Sequence, residues 1–168
     1  MEEINLYDIS FRSIKPPDMA QLEKWYAMTD ELGYATGFQR LGDVRDKLLS
    51  YPRMSMMIIL GEDQAAGFVC YEMKNLNGKN VAWIHILLVD PAFQNKGIGS
   101  WIVRKLLEWF ESMDTVAVVV SVSEQNPRGL KFWENLGFAR SRALEKILYG
   151  FGTKGVAIMK KTMEKRRT

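Results

Sequence analysis

The chain of 168 residues contains one cysteine, one histidine and no apolar run near the ~20 residues that a membrane-spanning helix requires. The single cysteine, Cys70, excludes a disulfide framework within the chain and a cysteine-based metal cluster. The first residues, Met1–Asn5, lack a basic segment followed by an apolar stretch, so we expect no signal peptide. These absences lead us to expect a cytoplasmic protein with no metal and no membrane partner.

The net charge of +3 is concentrated at the C-terminal end. Residues 160–168 contain five basic residues and one acidic residue, a net charge of +4, which leaves −1 for the rest of the chain. A nucleic-acid binder needs a basic stripe on folded structure, whereas a terminal basic segment is usually solvated. We therefore expect one domain over residues 1–168, with a basic tail at 160–168 and no nucleic-acid partner.

The spacing of apolar residues predicts an alternating α/β order. Strands are predicted at Asp8–Ile14, Met54–Leu60, Ala66–Met73, Val81–Val89, Val116–Val122, Phe138–Leu144 and Val156–Lys160. Helices are predicted after Asp18, at about Leu41–Ser50, at Ile98–Met113 and after Asn126, and a hairpin loop is predicted at Asn75–Asn80. This order predicts a central mixed sheet with flanking helices.

The segment Val89–Ser100, V-D-P-A-F-Q-N-K-G-I-G-S, predicts an anion site between a strand and a helix. The first amides of a helix have no intrahelical partner, and the helix dipole adds positive potential there. Gly97 and Gly99 let the backbone approach a ligand closely, and the expected ligand is a pyrophosphate. Lys96 precedes Gly97, which is the wrong order for a Walker loop, and a dinucleotide fingerprint needs a third glycine.

A second motif lies at Asn126–Phe138, N-P-R-G-L-K-F-W-E-N-L-G-F. Asn126 is a suitable helix N-cap, and Gly137 suits a left-handed helix end. The two motifs, in this order, resemble the acetyl-CoA signatures of the GNAT superfamily of N-acetyltransferases. The resemblance covers about the C-terminal half of the chain. It implies a GNAT fold, with a central mixed, mostly antiparallel sheet of about seven strands and flanking helices. Strands 4 and 5 of that fold splay into a V, where acetyl-CoA enters.

The resemblance assigns the acetyl-CoA contacts by position. Backbone groups of Leu87, Leu88 and Val89 pair with the pantetheine arm as an added strand would, unless they serve ordinary sheet pairing. Asn126 lies near the pantetheine from the other side, and Trp133 is among the cofactor contacts. The pyrophosphate is held mainly by backbone N–H groups of the loop, which comprises Gln94, Asn95, Lys96, Gly97, Ile98, Gly99 and Ser100.

Catalysis in this family is direct transfer of the acetyl group, so Cys70 is not needed as a nucleophile. The resemblance implies that the Val89 N–H polarises the thioester carbonyl. Some members have a catalytic histidine at the position of His85, and others have a glutamate two residues earlier, where this chain has Trp83. Strand alternation places Trp83, His85, Leu87 and Val89 on one face unless a bulge intervenes. His85 is therefore the candidate base, and the alternative is a histidine bonded within the sheet.

Trp133 departs from the family pattern, because many members have a tyrosine there that protonates the coenzyme thiolate. An indole N–H cannot serve as that acid. Tyr71 and Tyr149 are the candidate replacements, and packing is the alternative role for both. Water is a further proton source.

The resemblance implies that the acceptor amine meets about Thr29–Arg40 and Ala143–Lys154, where Asp30 and Glu31 attract cations and Tyr34, Phe38, Tyr149 and Phe151 offer apolar walls. The leading function is acetyl transfer to a small-molecule amine. The alternatives are transfer to a protein N-terminus or lysine, and a non-catalytic acyl-CoA-binding regulatory module. A homodimer agrees with the family.

Overall fold

The structure is a computed structural model that describes residues 8–28, 53–94, 96–149 and 155–164. Its strands are β1 (Ile9–Ser13), β2 (Arg53–Leu60), β3 (Gln64–Leu76), β4 (Lys79–Val89), β5 (Thr115–Ser123), β6 (Ala139–Arg140) and β7 (Val156–Thr162). Its helices are α1 (Met19–Ala27), α2 (Ile98–Ser112), α3 (Pro127–Asn135) and α4 (Arg142–Tyr149), with 3-10 turns at Pro16–Asp18 and Pro91–Phe93. No helix in these ranges is long and apolar enough to cross a membrane. The helix predicted at Leu41–Ser50 lies outside the described residues.

The seven strands form one sheet in the order β1-β2-β3-β4-β5-β7-β6. Strands β4 and β5 are parallel, and every other neighbouring pair is antiparallel. The predicted fold class, a mixed and mostly antiparallel sheet with flanking helices, is confirmed. The parallel pair lies in the middle of the sheet, with α2 as the crossover between its strands.

The two faces of the sheet are covered by different helices. On one face, α2 buries Ile98, Ile102 and Leu106 in a large core that includes Ile84 of β4 and Val120 of β5. On the other face, α1 buries side chains against β2, β3 and β4. That second core contains Met19, Leu22, Trp25, Tyr26, Met57, Ile59, Phe68, Cys70, Ile86 and Leu88. Cys70 is therefore a core residue.

Two predicted element boundaries are wrong. The hairpin loop is not Asn75–Asn80, because β3 and β4 stay paired as far as Leu76 and Lys79. Only Asn77 and Gly78 form the turn, with φ of 54° and 80°, as a tight Asn-Gly hairpin requires.

The strand predicted at Phe138–Leu144 ends at Arg140, and α4 follows it. Ser141 starts this helix, since its Oγ accepts a hydrogen bond from the Leu144 N–H at 3.2 Å. Arg140 then binds Glu145 of the first helical turns and also Glu124. These ion pairs raise the pKa of Arg140 and lower that of Glu145 through their hydrogen bonds.

The predicted basic tail begins later than residue 160. Lys160 and Lys161 belong to β7, where they pair with Val119 and Val118 of β5. The Lys161 ammonium donates a hydrogen bond to the Leu136 carbonyl at 3.0 Å, behind α3. The first residues of the expected tail are therefore part of the sheet, and residues 165–168 lie outside the described part of the chain.

Candidate active site

Strands β4 and β5 separate partway along their length. Their last paired residues are Ile84 and Val120, although β4 continues to Val89 and β5 to Ser123. Beyond that point β4 remains paired with β3 as far as Val89, and β5 remains paired with β7 as far as Ser123. The predicted splay between strands 4 and 5 is thus a gap between two half-sheets, each of which stays paired. We call this gap the wedge.

Backbone groups of β4 alternate between β3 and the wedge. The Leu88 carbonyl points at β3, where it lies so close to Gly67 that a Cβ on that residue would collide with it. The Asp90 N–H also faces β3, since it donates to the Ala66 carbonyl at 2.7 Å. In an antiparallel ladder the intervening residues face the other way, so Leu87 and Val89 direct their N–H and C=O groups to the wedge side. Leu88 directs its own to β3.

The loop after β4 leads directly into the N-terminus of α2. The Gln94 side chain donates to the Val89 carbonyl at 2.8 Å, so it ties the loop to the end of the strand. Gly97 is the N-cap of α2 and has a φ of 77°. This is a left-handed conformation that residues with a Cβ adopt only at an energetic cost. The Trp101 N–H donates to the Gly97 carbonyl at 3.2 Å, which starts the helical ladder.

The first amides of α2 therefore point out of the helix end, as the predicted anion site requires. They belong to Ile98, Gly99 and Ser100. Ile98 itself is fully buried, and the Lys96 side chain is exposed. Asn95 lies outside the described residues. The positive φ of Gly97 and the open space where a Cβ would lie suit a diphosphate group.

The two sequence motifs meet at this helix end. A Cβ on Gly99 would lie 3.2 Å from the Phe132 ring of α3 and 4.0 Å from the Val89 side chain. Asn126 caps α3, because its Oδ1 accepts from the Gly129 N–H at 2.9 Å. Val89 of β4, Gly99 of α2 and Phe132 of α3 thus lie close together, and Asn126 stands at the start of α3.

Trp133 lies in the core rather than at the surface of the wedge. It is 7% exposed, and its ring packs edge-to-face on Phe132 and Phe138 at 5.1 and 5.0 Å between centroids. Of the adjacent aromatic residues Phe132 and Trp133, it is Phe132 that lies against Gly99, at the end of the loop between β4 and α2. The packing role of Trp133 is clear, and its predicted contact with the cofactor stays a prediction.

A β-bulge on β4 changes which side chains share a face. Cys70 pairs with Ile86 but Tyr71 pairs with Ile84, so His85 is the extra residue. The predicted grouping of His85 with Leu87 and Val89 is therefore wrong, since those two pack towards α2. His85 stays beside Trp83, with ring centroids 4.5 Å apart.

His85 lies beside a carboxylate that the sequence prediction does not include. Its Nε2 lies 3.0 Å from Oε2 of Glu72, and the two side chains are 15% and 18% exposed. Glu72 stands directly opposite Trp83 across β3 and β4. The sequence does contain one signal, since Glu72 is the only acidic residue in the otherwise apolar predicted strand Ala66–Met73. The residue that it faces on β4, however, depends on the register of the two strands.

Trp83 is held in place by polar contacts on either side. Its indole N–H donates to Ser121 Oγ at 2.9 Å, across the point where β4 and β5 separate. The Lys74 ammonium lies 4.6 Å from the ring centroid, a cation–π contact. Trp83, His85 and Glu72 thus form a partly buried cluster at the start of the wedge.

Neither tyrosine proposed as the missing acid is shown in that role. Tyr71 is 2% exposed and packs edge-to-face on Trp109 and Phe110, so it is a core residue on the α2 side. Burial raises the pKa of its hydroxyl. The side chain of Tyr149 lies outside the described residues, as do Asp30, Glu31, Tyr34, Phe38 and Phe151.

Asp90, at the turn after β4, is a second residue whose role the sequence alone does not reveal. Its Oδ2 accepts the Trp25 indole N–H at 2.7 Å, and its Oδ1 accepts the Ala92 N–H at 2.8 Å. Trp25 is fully buried in α1, so this contact links that helix to the turn that starts the loop.

We expect Trp25→Phe to destabilise the fold by about 1–3 kcal/mol, because it removes a donor to a partly buried carboxylate and keeps an aromatic ring. Urea denaturation measures the loss. In a double-mutant cycle with Asp90→Asn, the combined loss should be smaller than the sum of the single losses. Strict additivity would show that the contact carries no energy.

A family model for the acetyltransferase (GNAT) family matches residues 19–138, which is more than half of the chain. Among curated proteins, N-alpha-acetyltransferase 30 of Xenopus laevis is 30% identical over 95 residues, which are 56% of this chain and 35% of that protein. The chain therefore spans little more than a third of the length of this relative.

Two solved structures share the fold. An acetyltransferase from Thermus thermophilus has a TM-score of 0.72 at 17% identity, over 92% of this chain and 97% of that chain. Spermidine N-acetyltransferase from Vibrio cholerae, solved in complex with CoA and spermine, has a TM-score of 0.69 at 15% identity, over 93% and 96%. Sequence match, sheet order and wedge agree, and the chain belongs to the acetyltransferase (GNAT) family.

Proposed function

We propose that the protein is an N-acetyltransferase that moves an acetyl group from acetyl-CoA directly to a primary amine. One observation carries this proposal: the wedge between β4 and β5 opens beside the N-terminus of α2, where Gly97 has a positive φ. The wedge suits an extended arm, and the helix end suits a diphosphate. Acetyl-CoA has both parts.

Backbone groups do most of the binding in this proposal. The wedge-facing groups of Leu87 and Val89 hold the pantetheine arm, while the Val89 carbonyl is already bonded to Gln94. The amides from Gly97 to Ser100 hold the pyrophosphate, and Lys96 adds positive charge from the exposed side of the loop. Asn126 caps α3 on the opposite side of the wedge.

The chemistry requires a neutral amine, because an ammonium has no lone pair. We propose that His85 takes the proton of the amine and that the Val89 N–H, which faces the wedge, stabilises negative charge on the acetyl oxygen. The nitrogen then bonds to the acetyl carbon as the carbon–sulfur bond breaks. Since Tyr71 is buried in the core, we assign protonation of the thiolate to water.

A small-molecule amine is the acceptor we favour. The carboxylate of Glu72 and the ring of Trp83 lie beside His85, and both attract a cationic amine before it loses its proton. The likeness to a spermidine N-acetyltransferase supports this choice at the level of the fold. Transfer to a protein α-amine is the second candidate, because one curated relative at 30% identity is an N-alpha-acetyltransferase.

The test is release of free thiol from acetyl-CoA in the presence of polyamines, aminoglycosides, amino acids and peptides with free N-termini. We expect turnover with one amine class, and calorimetry in parallel should detect CoA binding. Turnover with N-terminal peptides alone would replace the small-molecule acceptor by a protein one. Binding of CoA without any turnover would favour a regulatory acyl-CoA-binding module, and absence of binding would refute the proposal.

We further propose that the enzyme works in the cytoplasm, without a nucleic-acid partner, as a homodimer. Light scattering coupled to size exclusion measures its mass directly, and a monomer of 19.3 kDa would refute the dimer.

A further inference from the structure

The contact between His85 and Glu72 fixes one nitrogen of the imidazole. Nε2 is the ring atom that faces the carboxylate, at 3.0 Å. A carboxylate accepts hydrogen bonds but does not donate them when it is ionised. In the neutral imidazole, the proton therefore belongs on Nε2, and Nδ1 carries the lone pair.

We propose that Glu72 is a positioning residue that makes Nδ1 of His85 the proton-accepting atom. This inference rests on the proposed function, in which His85 is the base. The amine proton passes to Nδ1 as the nitrogen bonds to the acetyl carbon and the thiolate leaves. The resulting imidazolium is bonded through Nε2 to the Glu72 carboxylate, and it later returns its proton to water, while the thiolate takes one from water.

Burial strengthens the electrostatic interaction between His85 and Glu72. Both side chains are more than four-fifths buried, so water screens their interaction less than it would on an open surface. The backbone adds rigidity, because Glu72 lies in the continuously paired part of β3, directly opposite Trp83. Packing between the Trp83 and His85 rings, 4.5 Å apart, restricts rotation of the imidazole on its other side.

The strand register explains why Glu72 and not another acid fills this role. Glu72 is directly opposite Trp83, and His85 lies on the face of Trp83, next to the Glu72 carboxylate. The bulge at His85 changes the residues after it, because Ile86 joins the core under α1 while Leu87 packs towards α2. The carboxylate is thus 13 positions earlier in the chain than the imidazole but adjacent to it in the sheet.

Steady-state kinetics test the positioning role. We expect Glu72→Ala to lower kcat by about 10- to 100-fold with the KM for acetyl-CoA unchanged, because orientation of the base is lost. Glu72→Gln keeps an acceptor oxygen without the charge and should lose less, and Glu72→Asp should restore part of the rate. Glu62→Gln, in the exposed turn between β2 and β3, removes the same charge far from His85 and should match the wild type.

Nuclear magnetic resonance tests the tautomer without any turnover. The chain has one histidine, so a tag-free protein with 15N-labelled histidine gives one set of ring signals. We expect the neutral imidazole of the wild type to be protonated on Nε2 alone. Glu72→Ala should show a share of the Nδ1–H tautomer as well.

The two measurements separate the two proposals. A wild type protonated on Nδ1, or a Glu72→Ala variant with normal kcat, would overturn the positioning role. A greater loss of kcat in Glu72→Gln than in His85→Gln would also overturn it, since Glu72 would then be the base itself. An enzyme inert to every amine would refute the proposed function even if the tautomer still depended on Glu72. An active enzyme whose tautomer is the same with and without Glu72 would overturn the positioning role alone.

Discussion

Replacing Gly97 by glutamate should raise the dissociation constant for CoA by at least about 100-fold. A carboxylate at the N-terminus of α2 would stand beside the diphosphate, and two unit charges about 4 Å apart repel by about 4 kcal/mol at an effective dielectric constant near 20. Apart from its chain neighbours, no heavy atom lies within 4 Å of a Cβ at this position, so the fold should survive at the cost of the backbone strain of a positive φ. Isothermal calorimetry with CoA measures the effect.

The chain offers a matched control in Gly78. Its φ is 80°, against 77° for Gly97, and a Cβ there also meets open space. Gly78→Glu therefore imposes the same backbone strain and the same charge at the distant hairpin between β3 and β4, and it should leave CoA binding unchanged. Gly97→Ala isolates the strain alone and should cost only about 1–2 kcal/mol of stability. Equal CoA affinities for Gly97→Glu and the wild type would refute the loop assignment.

The glycine loop could be predicted from the sequence because its causes are local. A strand that ends at Val89, a left-handed glycine and the start of an amphipathic helix are each encoded within a few residues. The cap of α3 is local in the same sense, since Asn126 bonds the Gly129 N–H only three positions away. Short-range chemistry of this kind depends little on the rest of the fold.

The cluster around His85 could not be predicted, because it depends on pairing between strands. A one-residue bulge reverses the faces of all later residues of β4, and nothing in the letters H-I-L-L-V distinguishes the two arrangements. Glu72 becomes visible only once the register places it opposite Trp83. The sequence thus supplies a candidate base, and the carboxylate beside it is identified only from the strand register.

Helix α4 differs from the predicted strand for a different reason. The strand predicted at Phe138–Leu144 includes Ser141, which is the residue that caps the helix. The run after it, R-A-L-E-K-I-L-Y, contains good helix formers, and the ion pair of Arg140 with Glu145 fixes the first turns. Local signals for this helix are present in the sequence, but the apolar residues after Phe138 also favour a strand.

Replacing His85 by alanine should lower kcat by about 100-fold or more at neutral pH, because the amine then has no imidazole to take its proton. CoA affinity should be unchanged, since the binding loop lies beyond the end of β4. Rates of thiol release at saturating acetyl-CoA, compared with calorimetric affinities, separate the two effects. Lys79→Ala, an exposed position at the start of the same strand, serves as the control and should keep full activity.

His85→Gln distinguishes loss of the base from loss of structure. A glutamine amide can donate to Glu72 as the imidazole does, so the polar contact under Trp83 is kept while the titrating group is removed. If the kinetic loss comes from proton transfer, the glutamine variant should be nearly as slow as the alanine variant, and added imidazole should restore part of the rate of His85→Ala. Normal kcat in His85→Gln, with a wild-type pH–rate profile, would leave His85 as a structural residue and move the search for the base to Glu72.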